Sequence, residues 1–231
     1  MVELVVFSTI GVRSAAEQLF AQFDKASHKL DVTWGTAPML VKRIEGGDTA
    51  DVVVLSGAGI EALQKQGKIA AGSVITLASS GVGIAVKAGA PKPDISTPEA
   101  LKRTLLAAKS IAYSEPSAGG ASGVYFAKLL ERMGIAEQMK SKTKYPPPGG
   151  FSANLLMTGE AELAVQQKPE LLHVAGAEVI GLLPGDLNVV TEFAAAIMTG
   201  NKNGEAGKAL IEMLQSPDAI ATFRSKGLDT P

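Results

Sequence analysis

Directly after Met1 the chain reads Val2-Glu-Leu-Val-Val-Phe7-Ser-Thr-Ile-Gly11, and its architecture follows from this pattern. The first six residues favour a β-strand, the next four are typical of a polar turn, and from Arg13 onward apolar residues recur at helical spacing. The same unit returns with strands predicted at 29–34 and 51–55. Strands that alternate with helices indicate βα units around a parallel sheet, so the sequence predicts an α/β protein.

The pattern changes near residue 80, where a second α/β series begins. Gly81–Lys87 predicts a Gly-rich strand, and the loop that follows contains two prolines, as at a domain boundary. The last two helices have no new sheet on which to pack and must return to the first layer. We therefore predict two lobes, residues 1–80 with 190–231 and residues 81–189, joined by two crossing strands. Each lobe is expected to be a mixed sheet flanked by helices, with a ligand cleft between the lobes.

Local signals in the second half predict individual elements. Ser96-Thr-Pro-Glu99 has the hydroxyl cap, the early Pro and the acidic residue of a helix start. The patterns at 140–145, 162–165 and 189–199 predict strands, and 151–157 predicts a helix. The lysines between 140 and 144 are interpreted as a solvated strand edge.

Composition excludes several classes of function. The 231 residues include 22 Lys and Arg, 23 Asp and Glu and no Cys, which gives a net charge of −1. Such a balance does not bind nucleic acid by neutralising phosphates, and the lack of Cys excludes thiol catalysis, thiolate metal sites and disulfides. No apolar run approaches the length needed to span a bilayer. We expect a soluble, monomeric protein without a metal or cofactor.

Five predicted loops end a strand, open a helix and consist of small or hydroxyl residues. They are Ser8–Gly11, Gly35–Pro38, Leu55–Gly59, Ser117–Gly123 and Pro148–Ser152. Helix N-termini present unpaired N–H groups and partial positive charge, so several at one place make an anion site without many formal charges. The predicted ligand-binding residues are Ser8, Thr9, Gly11, Arg13, Thr36, Ala37, Ser56, Ser117, Gly120, Ser122, Gly150, Ser152, Gln166 and Gln167. The alternative is that these residues only form ordinary turns and caps.

Two of these predictions have specific chemistry. The glycines of Ser117–Gly123 allow backbone amides to approach a ligand, and Ser122 adds a hydroxyl, but no Gly-Lys-Ser/Thr follows as in a phosphate loop. Arg13 has a planar guanidinium that suits a carboxylate. The sequence leaves open whether Arg13 binds ligand or lies on a solvated helix face.

Catalytic patterns are few. No Ser-His-Asp arrangement is indicated, because His28 and His173 lie outside the predicted cleft loops. Glu115 and Lys168 are the candidate acid or base groups if the protein is an enzyme. Asp and Glu show no metal-ligand spacing. The sequence therefore favours binding over catalysis.

Further motifs are those of a known family. They are Thr33-Trp-Gly-Thr-Ala37, Lys42-Arg-Ile-Glu-Gly-Gly47, Ala50-Asp-Val-Val-Val54 and the Ser216-Pro217 helix start. With them the chain resembles the type II periplasmic binding proteins, in the branch of the molybdate-binding components of ABC transporters. The resemblance implies a small anion held by N–H and OH donors, hinge closure of two lobes, and membrane subunits of an ABC transporter as partners.

The resemblance also shows where this chain departs from its branch. The molybdate branch places hydroxyl side chains in the first two loops and a tyrosine after a late strand, whereas this chain has Gly11, Ala37 and Gln167 there. A carboxylate is therefore favoured over a molybdate-type oxyanion. Aconitate isomerase is similar to the same branch, so an isomerase of an unsaturated polycarboxylate is the alternative function, and a ligand-sensing domain is a third.

The predicted location has two possibilities. The resemblance implies the periplasm, but the first strand starts directly after Met1, without the basic and apolar regions of a signal peptide. Either a signal segment has been removed from this sequence, or the protein is cytoplasmic.

Overall fold

The computed structural model describes residues 2–25, 28–118 and 120–231, except for the side chains of Val2, Lys25 and His28. The predicted loop residue Gly119 and the imidazole of His28 thus lie outside the described residues. The chain divides into two units, Met1–Ser79 with Thr191–Pro231, and Ser80–Val190. Each unit is an α/β structure with a mixed sheet flanked by helices.

Unit 1 contains a sheet in which parallel strands follow the N-terminal βα pattern. Its strands are β1 (Val2–Thr9), β2 (His28–Gly35), β3 (Val52–Ser56) and β9 (Val190–Ile197). The order is β2-β1-β3-β9, with β9 antiparallel to β3 and the other pairs parallel. The helices are α1 (Arg13–Lys25), α2 (Ala37–Glu45), α3 (Gly57–Lys65), α9 (Gly204–Leu214) and α10 (Pro217–Ser225).

Both faces of this sheet are covered, which explains the nearly continuous apolar strands. Leu4 and Val6 lie on one face, in a core that includes apolar residues of α1, α9 and α10. Phe7 lies on the other face, with apolar residues of α2 and α3. The closing helices therefore pack on the first sheet, because they have no other apolar layer for residues such as Phe223.

Unit 2 contains a second mixed sheet in the order β8-β4-β7-β5-β6. Its strands are β4 (Ile75–Lys87), which begins in unit 1, β5 (Ile111–Tyr113), β6 (Thr143–Lys144), β7 (Leu163–Gln167) and β8 (Ala177–Leu182). The β5 strand is parallel to β6 and β7, whereas β4 is antiparallel to β7 and β8. The helices are α4 (Pro98–Ala107), α5 (Ala121–Arg132), α6 (Ala136–Lys140), α7 (Asn154–Met157) and α8 (Lys168–Leu172).

The predicted elements of unit 2 need corrections. The strand predicted over 140–145 is reduced to Thr143–Lys144, and Lys140 ends α6 instead of starting a strand. Gly134, with a φ of 68°, ends α5 and lets the chain begin this short extra helix. The helix predicted over 151–157 covers only Asn154–Met157. Helix α8 and strand β8 were not predicted, because α8 is one short turn and β8 is half-buried without clear alternation.

Asn188, two residues before β9, lies against Gly81 and Val82 in the middle of β4. A side chain at Gly81 would place its Cβ 2.6 Å from the Asn188 side chain. Asn188 Oδ1 in turn accepts the Val82 N–H at 3.0 Å. Gly81 is therefore needed for close approach, and Asn188 joins the two chain segments where they enter unit 2.

Within the described parts of the chain, every helix is too short or too polar to traverse a bilayer.

Candidate functional site

The predicted loops of unit 1 meet at one edge of its sheet. Strands β1, β2 and β3 are parallel, and their register places Thr9 beside Gly35 and Ser8 beside Val54. Gly11 and Thr36, which follow β1 and β2, and Ser56, the last residue of β3, therefore lie at the same edge. Helices α2 and α3 begin there, and a 3-10 turn leads into α1.

Among the described residues of unit 1, two buried serine hydroxyls have no hydrogen-bond partner. The Oγ atoms of Ser8 and Ser14 are both buried and unpaired. Ser8 lies at the end of β1 and is fully buried, and Ser14 lies in the first turn of α1. Buried polar groups are rarely left unsatisfied, so an unpaired hydroxyl is a notable feature of a site. Ser8 was predicted from the sequence, but Ser14 was not, because a serine in a first helical turn has an ordinary capping role.

The hydroxyls that precede α2 and α3 differ from each other. Thr36 Oγ1 accepts the Met39 N–H at 3.4 Å and so caps α2. Ser56 precedes α3 without making a side-chain cap, and Thr9 does not cap the 3-10 turn. Ala37 opens α2 and is buried. The hydroxyls of Ser56 and Thr9 are thus not used as caps at their helix starts.

The aromatic ring of Phe193, in β9, lies close to Gly11. A Cβ added at Gly11 would lie 2.6 Å from two atoms of the Phe193 ring, and Phe193 is itself buried. Serine at this position requires the ring to move. A side chain at position 11 would therefore disturb the packing of Phe193.

Arg13, the predicted anchor, begins α1 and is partly exposed. Its Nε donates to Glu17 Oε1 at 2.7 Å, and its guanidinium carbon lies 5.2 Å from the centre of the Trp34 ring. The Glu17 contact uses one of the five N–H donors of the guanidinium. Arg13 therefore forms an ion pair on the helix face, and its guanidinium still has N–H donors that Glu17 does not use.

In unit 2 a glutamine connects the loops at the ends of the parallel strands. Gln166 is fully buried at the end of β7. Its Oε1 accepts the Ser152 N–H at 2.7 Å and the Ser152 hydroxyl at 3.0 Å. Its Nε2 donates to Ser114 Oγ at 3.3 Å and to the Gly150 carbonyl at 3.2 Å. Both amide hydrogens of Gln166 thus have protein acceptors, and Gln166 and Ser152 hold the loops together.

The next glutamine belongs to a helix cap. Gln167 is buried, precedes α8 and forms a capping box with Glu170, in which the Gln167 N–H donates to Glu170 Oε2 at 3.2 Å. Glu170 is also buried. Burial raises the pKa of Glu170 to about 8, although the hydrogen bond from the Gln167 N–H acts in the opposite direction. Lys168, a predicted acid or base candidate, is half-buried in the first turn of α8.

Glu170 was missed from the sequence, although the signal is present. Gln167-Lys-Pro-Glu170 has an early Pro and an acidic residue three positions after the cap. The same signal correctly located the start of α4, where Thr97 caps the Ala100 N–H at 3.1 Å. Glutamine is not among the preferred cap residues, so the second occurrence is easily overlooked.

The predicted loop before α5 is pressed against the end of β5. A Cβ at Gly123 would lie 2.1 Å from the Ser114 carbonyl oxygen, so only glycine fits there. Ser122 is buried beside it, whereas Glu115 and Ser117 are exposed and Gly120 is partly exposed. The N-terminus of α5 therefore lies next to Ser114 and the glutamine network.

A pair of tyrosines at the same sheet edge was not predicted. Tyr113 ends β5 and Tyr145 follows β6, and their hydroxyl oxygens lie 3.3 Å apart. Burial is the main cause that raises the pKa of Tyr113, so its hydroxyl stays protonated. Tyr113 also packs edge to face against Phe126 of α5. Tyr145 is exposed and its hydroxyl is oriented by the buried one.

The structure therefore brings the predicted residues into two groups, one in each unit. A groove of about 320 Å³ in unit 2 lies elsewhere, between the 93–96 loop and residues 180–184, and no predicted site residue lines it. The described residues contain no group of three or more acidic or His side chains that could hold a metal ion. His173 is exposed and packs against the Phe151 ring.

Comparison with known proteins places this architecture in a family. The sequence profile described as bacterial extracellular solute-binding protein matches residues 4–229. The chain is 34% identical to an aconitate isomerase of Pseudomonas sp, over 97% of this chain and 87% of that protein. It is 28% identical to the molybdate-binding protein ModA of Azotobacter vinelandii, over 91% of this chain and 83% of that protein.

A solved structure has the same fold. The periplasmic molybdate-binding protein of Azotobacter vinelandii superposes with a TM-score of 0.79 and covers 99% of each chain, at 19% identity. The α/β fold predicted from the N-terminal pattern is thereby confirmed. The chain belongs to the bacterial extracellular solute-binding proteins, in the type II periplasmic branch that includes the molybdate-binding proteins.

Proposed function

We propose that the protein binds a small carboxylate, in preference to a molybdate-type oxyanion, as the solute-binding component of an ABC transport system. The observation that carries this proposal is the contact between Gly11 and Phe193. Because the ring occupies the space that a Cβ at position 11 needs, the first loop has no side-chain hydroxyl at that position. Ala37 likewise has no hydroxyl in the second loop.

Arg13 supports a carboxylate ligand. Its guanidinium lies against Trp34 and keeps donors beyond the one that Glu17 uses. A planar pair of N–H donors matches the two oxygens of a carboxylate better than it matches a tetrahedral oxyanion. The hydroxyls of Ser56 and Thr9, which do not cap helices, are further candidate donors in unit 1.

A thermal-shift screen tests the choice of ligand. Molybdate, tungstate, sulfate and a series of mono-, di- and tricarboxylates are added separately to the protein. A ligand present at about 100 times its dissociation constant adds about 2.7 kcal/mol to the free energy of unfolding. We expect a clear increase in Tm with at least one carboxylate. Stabilisation by molybdate and tungstate alone would contradict the carboxylate preference.

The second candidate is an isomerase of an unsaturated polycarboxylate. It is favoured by the 34% identity to an aconitate isomerase over nearly the whole chain. Such a reaction needs a base within hydrogen-bond distance of the reacting carbon, for which Glu115 and Lys168 are the candidates. A proton NMR time course with cis- and trans-aconitate tests this directly. Lack of interconversion at high protein concentration would exclude the aconitate reaction.

Two variants separate binding from catalysis. If binding is the whole function, Arg13→Ala removes a charge-assisted contact and lowers affinity by a factor of about 10 to 150. Glu115→Gln then has little effect, since it keeps the size of an exposed side chain. If Glu115 is the base, Glu115→Gln leaves binding largely intact but lowers turnover by about 100-fold or more. Normal affinity in Arg13→Ala would remove Arg13 as the anchor.

The remaining expectations stay predictions. They are hinge closure, a monomeric state, a periplasmic location and the alternative role as a ligand-sensing domain. Small-angle scattering with and without the ligand identified by the screen tests closure and the monomeric state together. A radius of gyration that does not change at saturation would count against hinge closure.

A further inference from the structure

Trp34, the only tryptophan of the chain, lies one residue before the end of β2. Its side chain is half-buried at the rim of the core that unit 1 forms with α1. Its ring stacks on the ring of Phe20 in α1, with the two centroids 6.0 Å apart and the ring planes inclined by 30°. The stack fixes the indole against the helix, while part of the indole stays open to solvent.

Arg13 lies against the same indole ring. Its guanidinium carbon is 5.2 Å from the ring centre, within the distance of about 6 Å that defines a cation–π contact. Arg13 and Phe20 are seven residues apart, which is about two turns of α1, so both lie on the same side of the helix. Trp34 therefore contacts α1 both in its interior and at its N-terminus.

The contact with Trp34 restrains Arg13 differently from the ion pair with Glu17. The ion pair takes the Nε hydrogen of Arg13, and an exposed pair of two flexible side chains is weak by itself. The ring face instead holds the plane of the guanidinium and uses none of its N–H donors. Together the two partners orient the guanidinium and leave the N–H groups of both Nη atoms to other acceptors.

The restrained guanidinium lies at the edge of the sheet that has the predicted anion-binding loops of unit 1. The register of the parallel strands places Trp34 beside Ser8, and Gly35 beside Thr9. Ser8 is the residue whose buried hydroxyl has no partner. Arg13 follows the first loop and begins α1 at the same edge. Trp34 is therefore next to the candidate site and in contact with its predicted anchor.

We propose that Trp34 is a positioning residue of the anion site, whose ring holds the Arg13 guanidinium with its Nη edge presented to a carboxylate of the ligand. This inference rests on the proposed function, in which Arg13 is the anchor. A free arginine side chain has many rotamers, and ordering it during binding lowers affinity. Because Trp34 orders the guanidinium before the ligand binds, removal of the ring should weaken carboxylate binding without removing a contact to the ligand.

Fluorinated tryptophans test the electrostatic contribution of the ring. Since Trp34 is the only tryptophan, biosynthetic incorporation of mono-, di- and trifluorotryptophan changes this residue alone. Fluorine withdraws electron density from the ring face and weakens a cation–π contact, while the ring keeps nearly the same size. Calorimetry with trans-aconitate should show an affinity that falls stepwise, to about one third or less with three fluorines. In Arg13→Ala the same series should bind with constant affinity.

Substitutions of Trp34 should have a larger effect. Trp34→Leu should lower the affinity for trans-aconitate by about 3- to 10-fold, and Trp34→Phe, which keeps an aromatic face, should recover part of the loss. In Arg13→Ala, the added Trp34→Leu change should cost no further affinity. Leu30→Ala is the matched control, because Leu30 is half-buried on the same strand and against the same core. It should keep the wild-type affinity.

Two results of these experiments would overturn the proposal. One is a constant affinity along the fluorinated series in the wild-type background. The other is an equal loss from Trp34→Leu with and without the Arg13 side chain, because the ring would then act on the site through packing alone.

A measurement without ligand separates this inference from the proposed function. The ring current of Trp34 should shift the Cδ protons of Arg13 upfield in the proton NMR spectrum of the free protein, and Trp34→Leu should abolish the shift. Unshifted protons in the wild type would overturn the inference even where carboxylates bind. If trans-aconitate does not bind, the carboxylate with the largest Tm increase in the thermal-shift screen replaces it. If no carboxylate binds, the proposed function fails, and this inference fails with it.

Discussion

The strand ends of the two units contain similar residues but use them differently. In unit 1 the buried Ser8 hydroxyl has no partner, and Ser56 precedes a helix without capping it. In unit 2 the buried Ser152 contributes both its N–H and its hydroxyl to Gln166, which also joins Ser114 and Gly150. Unit 1 thus leaves the buried hydroxyls of Ser8 and Ser14 unpaired, whereas the buried Ser152 and Gln166 of unit 2 bond each other and hold its loops.

This difference indicates how each unit contributes to anion binding. Unpaired hydroxyls cost stability in the free protein, because a buried polar group loses its hydrogen bonds to water. A network whose donors are all used instead makes a rigid frame, from which backbone N–H groups can point at a ligand. We expect the side chains of unit 1 and the backbone of unit 2 to supply the donors.

The largest expected effect concerns the helix starts of the two units. Gly123→Ala should lower the free energy of unfolding by about 3 kcal/mol or more, because the new Cβ meets the Ser114 carbonyl oxygen and backbone must move. Gly57→Ala, at the start of α3 in unit 1, meets no atom within 4 Å and should change stability by less than about 1 kcal/mol. Urea unfolding of both variants measures the difference, and equal effects would contradict it.

The next effect concerns the glutamine network. Gln166→Leu should destabilise the protein by about 2 to 4 kcal/mol, since it leaves the Ser152 N–H and the Gly150 carbonyl without their partner. Gln138→Leu, on the exposed side of α6, is the control and should lie within about 0.5 kcal/mol of the wild type. A small effect of Gln166→Leu would show that the loops of unit 2 are held by other contacts.

The third prediction concerns pH and the buried Glu170, which accepts the N–H of Gln167. The pKa of Glu170 is raised from 4.5 to about 8, so the folded state holds a proton that the unfolded state has lost between these values. The stabilisation is fully present below about pH 4.5 and is lost as pH rises through 8. Between about pH 6 and pH 8 the free energy of unfolding should fall by roughly 2 kcal/mol from this group.

Thermal unfolding in a series of buffers measures this pH dependence. Glu170→Gln should flatten the profile, because the amide does not titrate, while Glu178→Gln should not. If the free energy of unfolding rises between these pH values instead, the prediction is wrong. Such a rise would mean that the folded protein stabilises the carboxylate of Glu170, whereas burial favours the protonated form.

The smallest expected effect is the change in stability when a buried serine is replaced by alanine, and it should differ in direction between the two units. Ser8→Ala removes an unpaired buried hydroxyl and should leave stability unchanged or raise it by up to about 1 kcal/mol. Ser152→Ala removes a hydroxyl that bonds Gln166 at 3.0 Å and should cost about 1 kcal/mol. Differential scanning calorimetry compares the two variants. A clear loss of stability in Ser8→Ala would show that its hydroxyl has a partner, such as a buried water.

Secondary structure was predictable where the local pattern was strong. The β1 strand and α1 follow from apolar residues at two different periods, and α4 and α10 begin at the hydroxyl-Pro-acid signals of Thr97 and Ser216. The pattern failed at Lys140, where a short extra helix replaces the expected strand. A helix of about one turn or a strand of two residues contains too few side chains to show a period. Its secondary structure therefore depends on the elements that pack around it.

The candidate site was predictable in its residue types but not in their roles. Serines, threonines and glutamines at strand ends indicated polar loops, and the parallel strand order places those of each unit at one edge. The sequence did not distinguish a free hydroxyl such as Ser8 from a fully bonded one such as Ser152. Glu170 was missed altogether, because burial of an acidic residue depends on what packs around it.

The sequence by itself determined the α/β class, the βα order and the positions of the polar loops, because these depend on periodicity and on residues adjacent in the chain. Only the tertiary structure decided that Gly11 faces the Phe193 ring, that Gly123 faces the Ser114 carbonyl, and that Gln166 joins the two loops. Each of these contacts joins residues of different elements or loops that are not neighbours in the chain. Their distances depend on how strands and helices pack, which no local pattern contains.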